Sequence, residues 1–230
     1  MTKTVNRELI NYKTSAPTFR SGLNNAIDAT SFAYCQKKSF DLKKSFGLEN
    51  NIVLGHVGNF SYVKNYPFLL SVFQKTKEKC PKCKLVLIGN GSLRGEIETL
   101  AKQMNIFDDI MFLGVRSDVP DLLQMIDVFV FPSLFEGLPV TLVEAQVSGL
   151  KIFASDSITR EVALTEDIDF LSIKESPEYW ANKILTSVPY ERKSNYQIIK
   201  EKGYDIEENV CKLQEFYLEQ ITEPLWIENP

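Results

Sequence analysis

The chain has 230 residues, 44% of them hydrophobic and 24% charged, and a net charge of -4. This composition belongs to a folded globular protein with ample core material, and it excludes disordered, collagenous and disulfide-scaffold chains. The negative balance disfavours nucleic-acid binding through bulk charge, no apolar run approaches the ~18 residues of a membrane span, and the first thirty residues lack a signal-peptide core.

Charge is unevenly placed. Residues 1–50 hold eight Lys/Arg and four Asp/Glu, leaving the acidic excess to residues 51–230. The basic cluster Lys37, Lys38, Lys43 and Lys44 reads as a solvated helix face, with an anionic membrane surface as the sharper alternative. The four cysteines imply free thiols in a reducing, cytoplasmic setting. Cys80 and Cys83 form a C-P-K-C, but the single histidine, His56, leaves too few ligands with metal-site spacing, and a redox pair belongs just after a strand.

From Asn51 a strand–helix alternation begins. Ile52–Val57 reads as a buried strand. Pro67 then opens a helix whose stripe is Phe68, Leu69, Val72 and Phe73. Lys84–Ile88 is a second strand, and Leu93, Ile97, Leu100, Ala101 and Met104 recur at helical spacing. Ile110–Leu113 is a third strand, Val119–Ile126 a third helix and Val128–Phe131 a fourth strand. A helix from Pro139 to Gly149 follows, then strands at Lys151–Ala154 and Phe170–Ile173. Short strands alternating with helices predict an α/β fold, a doubly wound, parallel, Rossmann-like sheet of about six strands.

The domain reading is a flank over 1–50, broken at Ala16-Pro17, Gly22 and Asn24-Asn25, a sheet domain over 51–204, and a C-terminal helix and tail over 205–230. Ile206, Val210, Leu213, Phe216 and Tyr217 share one face of that last helix, which is expected to dock.

Ligands of open α/β sheets bind beyond the carboxyl ends of the strands. After strand one, Lys64 precedes a helix N-terminus, where amides and the dipole favour an anion, although alone it reads as an ordinary exposed lysine. After strand two, Gly89 and Gly91 open a helix. A dinucleotide fingerprint would need a third glycine at position 94, which is Arg94, so a NAD site is disfavoured. After strand four, Glu136 in the loop and Glu144 in the helix flank a run of backbone amides. Carboxylates accept hydrogen bonds from sugar hydroxyls and a helix N-terminus holds phosphate, which suits a phosphorylated sugar ligand. On spacing alone, a surface Glu and a helix-favouring Glu remain the simpler account.

Four blocks occur in order: Gly58-Asn-Phe-Ser-Tyr-Val-Lys64-Asn, Ile88-Gly-Asn-Gly-Ser-Leu, Phe112-Leu-Gly-Val-Arg-Ser-Asp-Val-Pro, and Pro132-Ser-Leu-Phe-Glu136-Gly-Leu-Pro-Val-Thr-Leu-Val-Glu144-Ala. Together they resemble the C-terminal, donor-binding half of the family 4 (group 1) retaining glycosyltransferases of GT-B fold, especially those of capsule and exopolysaccharide synthesis. The resemblance runs from about residue 22 to at least 190. It implies retaining transfer from a nucleotide diphosphate sugar, with uridine the default base, to an acceptor hydroxyl, and it implies no metal. By that resemblance Glu144 binds ribose hydroxyls, Glu136 contacts the donor sugar, and the amides of Gly137, Leu138, Val140 and Thr141 take sugar and diphosphate. Lys64 stabilises the leaving diphosphate, Gly114, Val115 and Arg116 lie by the base, and Gly89 and Gly91 line the cleft.

Two departures from the pattern stand out. The family places an arginine directly after the first-loop glycine, where this chain has Asn59, so leaving-group stabilisation is expected to weaken unless Arg116 or Arg94 compensates. The family also uses an N-terminal domain to hold the acceptor, a glycan or a lipid-linked sugar, and residues 1–50 resemble only the segment between domains, with Leu23 opening its turn. The chain is therefore expected to be a fragment or one half of a split enzyme, inactive alone. The basic flank is compatible with work at the inner membrane face. A non-catalytic nucleotide-sugar-binding module or regulatory subunit is the alternative. Asp167-Ile168-Asp169 matches a D-x-D string by chance, away from the expected diphosphate.

Overall fold

A computed structural model describes residues 24–222, with side chains to 218. Six parallel strands form one sheet: β1 Ile52–Val57, β2 Cys83–Ile88, β3 Ile110–Gly114, β4 Val128–Phe131, β5 Lys151–Ser155 and β6 Ile168–Leu171. Their order is β3-β2-β1-β4-β5-β6. The helices are α1 Ala29–Phe32, α2 Gln36–Ser45, α3 Tyr66–Lys79, α4 Arg94–Gln103, α5 Val119–Leu122, α6 Val140–Val147, α7 Pro177–Thr186, α8 Tyr196–Glu201 and α9 Ile206–Thr222.

Strands buried on both faces read as continuous apolar runs. In β4, Val128 and Val130 pack in one core with α3 and α7 residues, while Phe129 and Phe131 pack in the other with α1 and α6. Each such fully buried side chain contributes ~1.5–3 kcal/mol against exposure. The reversal of strand order falls between β1 and β4, and there the crossover helices diverge to opposite faces and open a crevice at the carboxyl ends.

The expected doubly wound sheet is present, with differences at three places. The third helix ends at Leu122 and continues as a 3-10 turn, Leu123–Met125. The cause is Arg192, whose guanidinium donates to the carbonyls of Leu123, Gln124 and Ile126 and to Ser148 O, at 2.7–3.1 Å. The sixth strand begins two residues earlier than the apolar run suggests, because Ile168 pairs with Ile152. Pro139 caps α6 in an extended conformation instead of opening its first turn.

The described part of the basic flank packs on this sheet. Ile27, Ala29, Phe32 and Leu48 join one core, and Lys43 Nζ reaches both Asp127 carboxylate oxygens, at 2.6 and 2.7 Å. Lys38 pairs with Asp121. Half of the lysine cluster thus fastens α2 to the domain instead of forming a purely solvated face. Gly22, Leu23, Ala16-Pro17 and the tail 223–230 lie outside the described residues.

Helix α9 forms where periodicity places it, but among the described residues its apolar stripe is only partly covered. Its start is tied by Ile206 N–H to Ile27 O and by Asn209 Nδ2 to Asn24 O. Beyond this first stretch Val210 and Tyr217 stay 45% and 58% exposed, and Leu213 and Phe216 are half-buried.

Candidate functional site

The crevice is built from four loops at the carboxyl ends of β1 to β4. The first three are laced by backbone. Gly58 N–H donates to Ile88 O, Phe60 N–H to Asn90 O, Leu93 N–H to Phe60 O and Gly89 N–H to Gly114 O, at 2.7–3.1 Å. Two glycines permit that approach. Gly89 has φ +130°, and a Cβ on it would sit 2.0 Å from Gly58 O; one on Gly91 would sit 2.2 Å from Asn59 Oδ1 and 2.6 Å from Phe60 O. Gly89 and Gly91 therefore bring the first two loops together.

The β1 and β4 loops meet across the reversal. Leu134 N–H donates to Val63 O at 2.8 Å, and Asn65 Nδ2 to Pro132 O at 3.2 Å. Between these contacts Lys64 Nζ lies 2.8 Å from Glu136 Oε1, both side chains being largely buried. The contact is an ion pair without hydrogen-bond alignment, since Glu136 Oε1 has no hydrogen-bond partner. The Lys64 ammonium also sits 4.5 Å from the centre of the Phe131 ring, whose face favours a cation.

Helix α6 starts beside this pair with no side-chain cap. The amides of Gly137, Leu138, Val140 and Thr141 donate to no acceptor among the described residues. Free N–H groups at a helix start and the positive end of its dipole favour an anion there. One turn further, Glu144 is half-buried, without hydrogen-bond or ion-pair partner among the described residues, and burial pushes its carboxyl above the usual range. A desolvated carboxylate of this kind gains from hydroxyl donors.

The remaining expected residues lie on the β3 side. Gly114 turns the chain at φ +69°, and Val115 is 80% exposed. Arg116 forms a fork with Asp118, and Arg94 pairs with Glu98 at 2.8 Å, so each guanidinium is held by its own segment and neither contacts Lys64. Asn59 is exposed on the first loop. The structure thus pairs Lys64 with Glu136 just before the start of α6, sets Glu144 one turn along that helix, and holds Arg116 and Arg94 in ion pairs within their own segments. The Asp167-Ile168-Asp169 string lies outside this crevice: Asp167 accepts from Asn195 and Asp169 pairs with Lys151.

One component escaped the sequence reading. His56 of β1 is fully buried beneath the crevice, with Nδ1 2.9 Å from Val130 O and its ring 5.5 Å from that of Phe131. Burial, aided by the charge of Lys64, lowers its pKa to about 3, so the imidazole is neutral. Its only sequence signal is being the chain's single histidine.

A doubly wound α/β domain with a lysine–carboxylate pair and an uncapped helix at its strand reversal has the frame of a binder of phosphorylated ligands. Residues 38–204 match the family described as "Glycosyl transferases group 1", and the chain belongs to that family. It is 41% identical over 201 residues to "Putative glycosyltransferase EpsF" of Bacillus subtilis, covering 85% of this chain and 52% of that protein. It is 27% identical over 212 residues to "UDP-Gal:alpha-D-GlcNAc-diphosphoundecaprenol alpha-1,3-galactosyltransferase" of Escherichia coli, covering 87% and 54%. Among solved structures, "Anabaena Alr3699/HepE in complex with UDP" superimposes with a TM-score of 0.71 at 21% identity, over 86% of this chain and 57% of that one. The expected GT-B half-fold is thereby matched, and the chain spans about half the length of these relatives. No described helix is long and apolar enough to cross a membrane.

Proposed function

We propose that this chain is the donor-binding half of a retaining glycosyltransferase, which moves a sugar from a nucleotide diphosphate sugar to an acceptor hydroxyl in polysaccharide synthesis. The observation that carries this reading is the Lys64–Glu136 pair beside the free amides of α6, at the strand reversal. In the reaction the bond between the sugar's anomeric carbon and the diphosphate oxygen breaks, and a bond to the acceptor oxygen forms on the same face. The acceptor's proton passes to the departing diphosphate.

The α6 amides and Lys64 stabilise charge that grows on that diphosphate, a preorganised electrostatic contribution available without a metal. Glu136 accepts hydrogen bonds from the donor sugar once Lys64 turns to the phosphates, and Glu144 accepts from the ribose hydroxyls. The two carboxylates are hydrogen-bond acceptors in this scheme, not the acid and base of a hydrolase. The E. coli relative's name pairs a UDP-sugar with a diphosphoundecaprenol-linked acceptor, and the solved neighbour holds UDP. These support uridine as the base and a lipid-linked acceptor.

A second reading, a nucleotide-sugar-binding module without catalysis, is favoured by Asn59, because Arg94 and Arg116 are each paired with a carboxylate of their own segment. Titration calorimetry with UDP and GDP, with and without magnesium, on the wild-type chain and Glu144→Ala tests the donor site. Metal-independent binding that weakens in the variant supports it; silence with both nucleotides overturns it.

A further inference from the structure

Among the described residues, three buried side-chain polar atoms make no hydrogen bond: His56 Nε2, Ser133 Oγ and Glu136 Oε1. All three belong to β1 or to the loop after β4, around Lys64. Buried polar atoms are nearly always satisfied, so such a cluster calls for a physical reason. For Glu136 the reason is the ion pair. His56 has none of that kind.

The tautomer of His56 is fixed by its neighbour. Val130 O can only accept, so Nδ1 carries the proton and Nε2 presents a bare lone pair. A Cβ placed on Gly58 would lie 3.0 Å from His56 Nε2, 3.0 Å from Lys64 Cε and 3.3 Å from Lys64 Cδ. The imidazole Nε2 and the Lys64 stem therefore border the same small space left by the missing side chain at Gly58. The nearby Tyr66 hydroxyl is not a competitor, because it donates to Gly58 O at 3.0 Å.

We propose that His56 is a positioning residue for Lys64: its unprotonated Nε2 accepts a hydrogen bond from the Lys64 ammonium once a diphosphate has drawn that ammonium off Glu136. This rests on the donor-site reading above. The two acceptors differ in what they do to the cation. Glu136 neutralises Lys64 in the free chain, whereas a neutral imidazole fixes its direction and leaves its full charge for the leaving group. An ammonium has three donors, so one directed inward to His56 leaves two for phosphate oxygens. The low pKa of the buried ring keeps it an acceptor throughout the neutral range.

Because His56 is the only histidine, nitrogen-15 spectra of the ring report on it without ambiguity. In the free chain Nε2 should resonate as an unbonded imine nitrogen. Saturation with UDP or GDP, whichever binds by calorimetry, should move Nε2 upfield while Nδ1 stays protonated. Glu136→Gln should produce the same shift with no nucleotide, and Lys64→Met should abolish it with Nδ1 still protonated, a pattern that loss of structure would not give. Nucleotide binding with a stationary Nε2, or a stationary Nε2 in Glu136→Gln, overturns the proposal. No binding of either nucleotide overturns the donor-site reading and this proposal with it, and the absent heat of binding marks that case.

Discussion

Lys64 Nζ rests 2.8 Å from Glu136 Oε1, joining two loops on opposite sides of the reversal in strand order. Both side chains are 15–19% exposed, so each charge has lost much of its water and depends on the other. Removing either partner leaves a half-desolvated charge, and removing both leaves none. Lys64→Met and Glu136→Gln should each destabilise the chain, and the double variant should recover part of the loss. A coupling energy of ~0.5–3 kcal/mol is expected for residues in such contact, measured by urea denaturation of the four proteins. Strict additivity would mean that the pair does not hold the two loops together.

Glu144 separates stability from binding. Its carboxyl is raised by burial, so folding disfavours its ionised form. A raised acid contributes stability below its unfolded value and loses it as pH rises through its folded value. Glu144→Gln should therefore raise the Tm at pH 7 while weakening UDP binding ~10–100-fold, the loss expected for hydrogen bonds to a charged acceptor. Calorimetry and thermal melts on one preparation check both signs. A lower Tm with unchanged affinity would assign Glu144 to the fold.

Much of this architecture was legible before any coordinates. The runs Ile52–Val57 and Val128–Phe131 are short, apolar and bounded by turn residues, so strands were readable to the residue. From the residues alone Lys64 read as an ordinary exposed lysine and Glu136 as a surface glutamate, and only the resemblance of their sequence blocks brought them to one site; the strand reversal that joins them came with the fold. Contacts made by distant segments were not legible. Arg192 meets four carbonyls from two separate helix ends only after folding, so nothing near it in sequence announced its role or the break after Leu122. The α9 stripe misled in the opposite direction: amphipathic spacing shows that a face is available, not that this domain covers it.

Asn59 is exposed at the mouth of the crevice, and Arg94 and Arg116 each pair with a carboxylate of their own segment. Asn59→Arg should add a forked, permanent charge facing the diphosphate and tighten UDP binding ~10-fold, with a stronger dependence on salt. Calorimetry at two ionic strengths reads both. In a sugar-transfer assay, a gain in rate would point to catalysis lost at this position, and an unchanged rate to compensation elsewhere.

Arg192 is the cation on which the opposite edge depends. Its guanidinium closes the carbonyl ends of the Leu123–Met125 turn and of α6, and it lies over the Tyr34 ring at 4.3 Å. Arg192→Leu removes the side-chain donor from all four carbonyls, leaving Leu123 O only the long bond from Ile126 N–H, and should cost on the order of 3 kcal/mol or more. Arg192→Lys should recover little, because an ammonium cannot reproduce the planar fork. Urea midpoints for both variants test this, and a loss below ~1 kcal/mol for Leu would show that the carbonyls find other donors.

His56 makes the chain's stability respond to pH. The folded ring has a pKa of about 3 against an ordinary value of 6.5. As pH falls below 6.5 the unfolded chain takes up a proton that the folded chain refuses, so stability declines through that interval and the ring's contribution levels off near pH 3. The slope approaches about 1.4 kcal/mol per pH unit for one proton. Between pH 6.5 and 5 the urea midpoint should fall in the wild-type chain more steeply than in His56→Gln. A flat wild-type profile over that window, or ring resonances that titrate near 6.5 in the folded chain, would show that the imidazole is open to water and free to charge.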